Sequence, residues 1–278
     1  MLRERTLWGD RDKEEDSIKR LIEHEPKDGY YVSFSGGKDS IVLLDLVKRS
    51  GVSHEAYYHF TTVDPPELVS FIKNNYPDVI WTRPKKSMFQ LIEGRGFPPT
   101  RHIRYCCSEL KEYGGKGRVV ATGVRWEESA KRATRPIWED NYKGKKQQFL
   151  HPIIDWNIND IWEYIKSRNL PYCSLYDEGF ERIGCIMCPL QRKEGIEREA
   201  ARYPKFYKAY LRAMERAIKN KPEKTENSKH KTAETMMYWW INGYEQDLKT
   251  RQNLLTEFGV DIFESDGGCG SVGDERYD

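Results

Sequence analysis

The sequence predicts an α/β fold: a parallel twisted sheet with helices on both faces, followed by a helical C-terminal region. Three observations carry this expectation. Short β-branched and aromatic runs alternate with helical stretches from residue 29 to residue 124, and a glycine pair stands where the first run meets a helix. After His151 the pattern turns helical. Strands that alternate with helices need crossover connections, which make neighbouring strands parallel and cover the sheet.

Each element follows from its own residues. Asp12 to Glu25 places Ile18, Leu21 and Ile22 among charges, an amphipathic helix that Pro26 ends. Gly29 to Ser35 reads as a buried strand, and Ile41 to Val47 as the helix that follows its glycine turn. His54 to Phe60 is the next strand, and Pro65 to Asn75 a helix with proline at its start. Val79 to Thr82 and Arg118 to Val124 read as strands, with helices over Ser87 to Glu93 and Cys106 to Tyr113 between them. Helices over Ile158 to Arg168, Pro204 to Asn220 and Lys231 to Ile241 complete the reading, and Phe206, Tyr210, Met214 and Ala217 form one core-facing stripe on the second of these. Residues 219–231 are polar and interrupted by proline, hence a loop, and 263–278 form a Gly-rich acidic tail. The expected organisation is an N-terminal helix in 1–28, an α/β unit in 29–190, a helical unit in 191–260 and the tail in 261–278.

Composition bounds the function. The 278 residues are 38% hydrophobic, 13% aromatic and 32% charged, which excludes disordered and collagen-like chains. No apolar run approaches the roughly 20 residues of a membrane span, and the first twenty residues alternate acid and base, so a cytoplasmic chain without a membrane partner is expected. The net charge of +2 is unevenly placed. Residues 83–146 hold sixteen Lys or Arg against seven acids, whereas 260–278 hold six acids and one Arg. The basic middle is either a solvated surface or an anion-binding face.

Ser35-Gly36-Gly37-Lys38-Asp39-Ser40 joins the first strand to its helix, where unpaired backbone N–H groups and the positive helix end converge on an anion. Two glycines allow close approach to phosphate oxygens, the hydroxyls of Ser35 and Ser40 are further donors, and Lys38 adds a point charge. The Walker A pattern is absent because Asp39 follows Lys38, and so is the Gly-x-Gly-x-x-Gly dinucleotide fingerprint.

Six cysteines in so long a chain do not make a disulfide framework. Cys106-Cys107 and Cys185-Ile-Met-Cys188 form two pairs, and four converging thiolates suit a [4Fe-4S] cluster or a structural zinc; unliganded packing cysteines are the remaining alternative. Adjacent cysteines fit a relaxed tetrahedral zinc poorly. Lys111 and the basic middle are placed to offset thiolate charge. Cys173, alone, reads as a packing thiol.

The turn resembles the PP-loop of the ATP pyrophosphatase superfamily, whose members cleave ATP between the α- and β-phosphates. Asp64-Pro65-Pro66-Glu67, the run Thr122-Gly123-Val124-Arg125 with Glu128-Ser129 and Arg132, His151 to Trp156 with Asp160 and Trp162, and Leu170 to Cys185 are similar to segments of the phosphoadenosine phosphosulfate (PAPS) reductase family. The similarity spans roughly residues 29 to 215. It implies an adenine nucleotide alpha hydrolase-like fold, with ATP and Mg²⁺ held by Ser35 to Ser40, Asp64 and Gly123. The reductases proper carry a degenerate loop of the Ser-Phe-Gly-Ala-Glu-Asp kind. Here the full pyrophosphate-binding form is kept, as in sulfate adenylyltransferase small subunits and nucleic-acid sulfur-modification ATP pyrophosphatases, which favours ATP. The cysteine pattern is similar to that of cluster-containing adenylylsulfate (APS) reductases and the DNA phosphorothioation ATPase, which favours the cluster. The reductases also carry a nucleophilic tail cysteine in a Glu-Cys-Gly-x-His-like motif. Cys269 lies on such a tail, but Gly268 precedes it, no His follows, and nearby acids raise a thiol pKa.

Three functions are compatible with these residues. The first is an ATP pyrophosphatase that adenylates an acceptor in sulfur transfer, with Lys38 and Asp39 at the phosphates and Arg125, Arg132 or Arg135 clamping the second substrate. The second is thiol-dependent reduction of APS or PAPS with Cys269 as nucleophile, needing a thiol reductant. The third is a nucleotide-binding subunit of a nucleic-acid sulfur-modification complex, whose basic stretch grips phosphate backbone.

Overall fold

The structure is a computed structural model and describes residues 2–6, 9–140, 147–222 and 230–242. A six-stranded sheet is its centre, built from β3 (Tyr30–Ser33), β4 (His54–His59), β5 (Ile80–Thr82), β6 (Val119–Ala121), β7 (Trp138–Asp140) and β8 (Gln148–Leu150), in the order β5-β4-β3-β6-β8-β7. Two of the pairings put β3 between β4 and β6, with Val32 level with Ala56 on one side and Ala121 on the other. All strands are parallel except β7, which runs antiparallel to β8. The exception follows from chain length. Only residues 141–147 separate β7 from β8, too few for the dozen or more residues of a parallel crossover.

Helices flank the sheet as expected. Helix α1 (Lys13–Glu23) is capped by the Asp12 carboxylate, which accepts from the amides of Glu14 and Glu15. It packs with α2 (Lys38–Ser50) and α7 (Ile158–Ser167) over the face formed by Tyr30, Val32, Ala56, Ala121 and Leu150. Helix α3 (Pro66–Asn75) adds Leu68 and Ile72 to the same core. The opposite face carries a smaller cluster of Tyr31, Val120 and Phe149. No helix among the described residues is long and apolar enough to cross a membrane.

A second core lies beyond the carboxyl end of β4. Helices α4 (Met88–Arg95), α5 (Tyr105–Leu110), α8 (Lys193–Arg202), α9 (Pro204–Asn220) and α10 (Ala233–Asn242) enclose it with Val63, Ile186 and Met187. Of the stripe expected on α9, Tyr210, Met214 and Ala217 are buried and Phe206 packs at the margin. The basic-middle helices α4 and α5 thus share a core with the C-terminal ones. Arg202 and Tyr203 tie this core to the sheet unit through Glu67 of α3, at 2.9 and 3.0 Å. Before α1, β1 (Arg3–Thr6) and β2 (Gly9–Asp12) pair as an antiparallel ribbon. Four-residue strands rich in charge carry no apolar alternation, which is why the sequence reading has no element there.

Candidate active site

The sheet order fixes where a ligand can enter. From β3 the chain moves outward to β4 and β5, then returns to β6 on the other side, so the connections leaving β3 and β6 diverge and open a crevice at the carboxyl ends of the strands. The Ser35–Ser40 turn leaves β3 there, and Thr122–Arg125 leaves β6.

Gly36 makes the turn possible in two ways. Its φ of +73° lies in the left-handed region, and a Cβ would fall 2.6 Å from Ile72 Cδ1 and 2.8 Å from Leu68 Cδ1. Helix α2 then begins with Gly37 as N-cap and no side-chain cap. The serine hydroxyls close the turn on itself: Ser35 donates to Ser40 Oγ at 3.2 Å, and Ser40 donates to the Gly37 carbonyl at 2.9 Å. Both protons expected to reach phosphate are therefore spent inside the turn. The amides of Gly36, Asp39 and Ser40 have no acceptor among the described residues, so three N–H groups remain at the positive end of α2. Lys38 is only 7% exposed; its ammonium donates to the Glu181 carbonyl at 3.1 Å and lies 3.5 Å from Asp39.

The strand-β6 side contributes Gly123 and Arg125. Gly123 leaves little room for a side chain, since a Cβ would lie 3.0 Å from the carbonyl carbon and oxygen of Asp39. Arg125, 4% exposed, donates from Nε to Asp39 at 2.7 Å and from Nη1 to Glu127 at 2.6 Å. Arg132, on the short helix α6 (Ala130–Ala133), pairs with Glu128 and Arg135 with Glu139, so all three arginines expected to clamp a substrate are held by acids of their own chain. Behind them the buried His151 bonds Thr122 Oγ1 through Nδ1 at 2.6 Å. Burial holds this imidazole below its ordinary value, hence neutral near pH 7, and suited to a bond with a hydroxyl.

The four paired cysteines come together in the second core. Cys106 and Cys107 stand in the first turn of α5, and Cys185 and Cys188 bracket a turn in which Met187 has a φ of +57°. That strained turn is held from several sides: the Met187 amide by the buried Glu199 carboxylate at 2.5 Å, the Ile186 amide by Val63 at 2.7 Å, and the Ile186 carbonyl by Tyr210 at 3.1 Å. A hydrogen bond from Cys106, and then the charges of Lys111, Arg104 and Arg182, bring the Cys107 thiol below its ordinary value against the effect of burial. The same bond, burial and the neighbouring thiols push Cys106 up; burial and the other sulfurs push Cys188 up to about 12. Each sulfur thus lies within the others' electrostatic reach. Among the described residues no group of three or more His, Cys, Asp or Glu side chains is arranged to hold a metal ion as it stands. The donor chemistry nevertheless fits a thiophilic group: four gathered sulfurs, one shifted toward thiolate, with a lysine beside them.

Asp64 joins this group as well. Its carboxylate accepts the Thr61 amide at 2.6 Å, and Cys185 contacts Thr61 Oγ1 at 3.5 Å. Burial raises the Asp64 carboxyl, with Lys111 opposing. Of the residues expected at the nucleotide, the structure gathers Ser35 to Ser40 with Gly123 and Arg125, and sets Asp64 beside Cys185. Cys173 is buried in the sheet core as a packing thiol. Cys269 lies outside the described residues.

A family model for the phosphoadenosine phosphosulfate reductase domain matches residues 29–191, which include the turn, the arginine segment and both cysteine pairs. The chain belongs to the PAPS reductase domain family. An uncharacterized protein of Methanocaldococcus jannaschii is 31% identical over 211 residues, 72% of this chain and 51% of that protein. The adenosine 5'-phosphosulfate reductase of Oceanobacillus iheyensis is 27% identical over 185 residues, 63% of this chain and 76% of that one. Among solved structures, the PAPS reductase of Candida auris superposes with a TM-score of 0.47 at 16% identity, covering 62% of this chain and 87% of that one. The chain spans about half the length of the first archaeal relative, and 40% of a second one from the same organism.

Sequence reasoning did not find Tyr176, Glu181 or Glu199 as parts of these sites. Tyr176 and Glu181 fall inside the Leu170–Cys185 segment that carries the family resemblance, but nothing in that run marks which side chain or carbonyl faces Lys38. Glu199 sits in α8 (Lys193–Arg202), a stretch for which the sequence reading has no element.

Proposed function

We propose that the chain is an ATP pyrophosphatase that transfers adenylate from ATP to an acceptor oxygen, as the activating step of a sulfur transfer. The observation that carries this reading is the Ser35–Ser40 turn, which leaves three amides unclaimed at the start of α2 beside the buried Lys38 ammonium. An acceptor oxygen attacks the α-phosphorus, the bond from α-phosphorus to the α,β-bridging oxygen breaks, and the electron pair leaves with pyrophosphate. The amides of Gly36, Asp39 and Ser40 and the ammonium of Lys38 take up the charge that grows on that leaving group. Mg²⁺ carried by the nucleotide neutralises part of the phosphate charge. Arg125, fixed by Asp39 and Glu127, forms a charged wall of the crevice, and Arg132 supports it through Glu128.

Cys106, Cys107, Cys185 and Cys188 are the residues that would hold a [4Fe-4S] cluster, with Lys111 offsetting its negative charge. Such a cluster, when bound, supplies electron-transfer or Lewis-acid chemistry within the second core. The same four sulfurs are the ligands of a zinc alternative.

A second reading, thiol-dependent reduction of APS or PAPS, is favoured by the reductase names of the bacterial relatives. One experiment separates the two. Anaerobically purified protein is assayed for pyrophosphate release from ATP with candidate acceptors, in parallel with sulfite release from APS and PAPS. Acceptor-dependent pyrophosphate release that survives Cys269→Ser and disappears in Lys38→Ala supports adenylation. Sulfite release that requires Cys269 replaces it with reduction.

A further inference from the structure

The amino end of α2 holds a hydroxyl that comes from outside the Ser35–Ser40 turn. Tyr176 Oη accepts the Lys38 amide at 2.9 Å, the first amide of the helix. The Lys38 ammonium lies 5.5 Å from the centre of the same ring. Trp162 packs edge-on against Tyr176 at 5.3 Å, and Tyr172 at 6.4 Å, so the ring is held by aromatic neighbours rather than hung on a loop. A phenol has one proton to give and lone pairs to receive. Here a lone pair is engaged by Lys38, and the proton goes to no acceptor among the described residues. The two serine hydroxyls of the turn have already spent their protons on Ser40 and Gly37. The hydroxyl proton left at the turn for an incoming anion is therefore that of Tyr176.

We propose that Tyr176 is a further phosphate-binding residue, whose hydroxyl donates to an oxygen of the pyrophosphate moiety while staying anchored on the Lys38 amide. This rests on the reading of Ser35–Ser40 as the turn that holds ATP. Burial keeps the phenol protonated well beyond its ordinary range, so it is a donor and never a competing anion. Selectivity follows from position: the bond is made only by ligands that place a phosphate at the start of α2, so ATP and inorganic pyrophosphate gain it and AMP, filling the nucleoside end of the crevice, does not.

The test is calorimetric titration of the full chain and its Tyr176→Phe variant with pyrophosphate, ATP and AMP in the presence of Mg²⁺. Tyr176→Phe is expected to bind pyrophosphate and ATP about tenfold more weakly, the loss of one hydrogen bond to a charged acceptor, with AMP affinity and melting temperature unchanged. Tighter binding by the variant overturns the proposal, because it makes the hydroxyl a plug that the anion must displace. So does an equal loss for all three ligands, which makes the role structural. Unchanged affinities beside normal wild-type binding overturn this inference alone, whereas a wild-type chain that binds neither ATP nor pyrophosphate overturns the nucleotide reading with it.

Discussion

Arg125 Nε lies 2.7 Å from Asp39 Oδ1, a bond between residues eighty-six positions apart that ties the end of β6 to the first turn of α2. Asp39 is the residue that breaks the Walker pattern, and its partner is an almost fully buried guanidinium. An arginine cannot shed its proton, so its burial depends on acids standing beside it.

Asp39→Asn is accordingly expected to lower stability by about 2 kcal/mol, because it leaves Arg125 with Glu127 and a neutral amide. A double-mutant cycle with Arg125→Met in urea unfolding checks this. A coupling energy near zero removes the pair from the account of the site.

Gly36 and Gly51 have the same φ of +73°, but a Cβ on Gly51 meets nothing within 4 Å. Alanine at 51 should therefore cost only the left-handed penalty of about 1 kcal/mol. Alanine at 36 adds the collision with Ile72 and Leu68, about 1–3 kcal/mol more, and displaces the turn. Unfolding midpoints of the two variants compare these directly, and ATP affinity should fall in Gly36→Ala alone.

Protein prepared without oxygen should be brown and carry about four irons per chain. Cys107→Ser and Cys185→Ser should bleach it and lower its melting temperature, since ligand loss removes the group that ties α5 to the Cys185–Cys188 turn. Metal analysis decides: a colourless protein with stoichiometric zinc selects the other thiophilic ligand.

Asp155 offers a pH test away from the site. Burial alone would raise its carboxyl, but the guanidinium of Arg20 at 2.8 Å and that of Arg11 outweigh it and hold the value below the ordinary one. A depressed carboxyl contributes stability that is complete above its unfolded value of about 3.9 and is lost as pH falls through the folded value. The stability gap between wild type and Asp155→Asn should be full at pH 7 and shrink below about pH 4. A gap that is constant from pH 7 to pH 3, measured by urea midpoints, contradicts the assignment.

The reading of elements succeeded where a long periodic pattern existed. Pro204–Asn220 is a helix over the residues named from its apolar stripe, and β4 and α3 differ from expectation by one residue at an end. It had no purchase on β7 (Trp-Glu-Asp) and β8 (Gln-Phe-Leu), which, unlike the equally short β5 and β6, contain no β-branched residues, and β7 pairs against the direction of the others. At the site, the glycine turn was legible since its backbone demands are local. The fate of its hydroxyl protons, and the bond between Lys38 and a tyrosine 138 positions later, depend on tertiary packing that no local pattern encodes. Asp64 illustrates the same limit: its place after β4 was legible, its nearness to Cys185 was not.

Gly123 meets Asp39 backbone to backbone, the nearest atoms to a Cβ placed on it being the Asp39 carbonyl carbon and oxygen. The width of the crevice at that point is thus a dimension of the main chain itself. Replacing Arg125, Lys38 or Tyr176 changes the charge and the donors presented to a ligand, but leaves the two peptide walls in place. A scaffold of this kind separates gauge from chemistry: its aperture is set by glycine and backbone, and different reactions can be fitted to it by exchanging the residues on its rim.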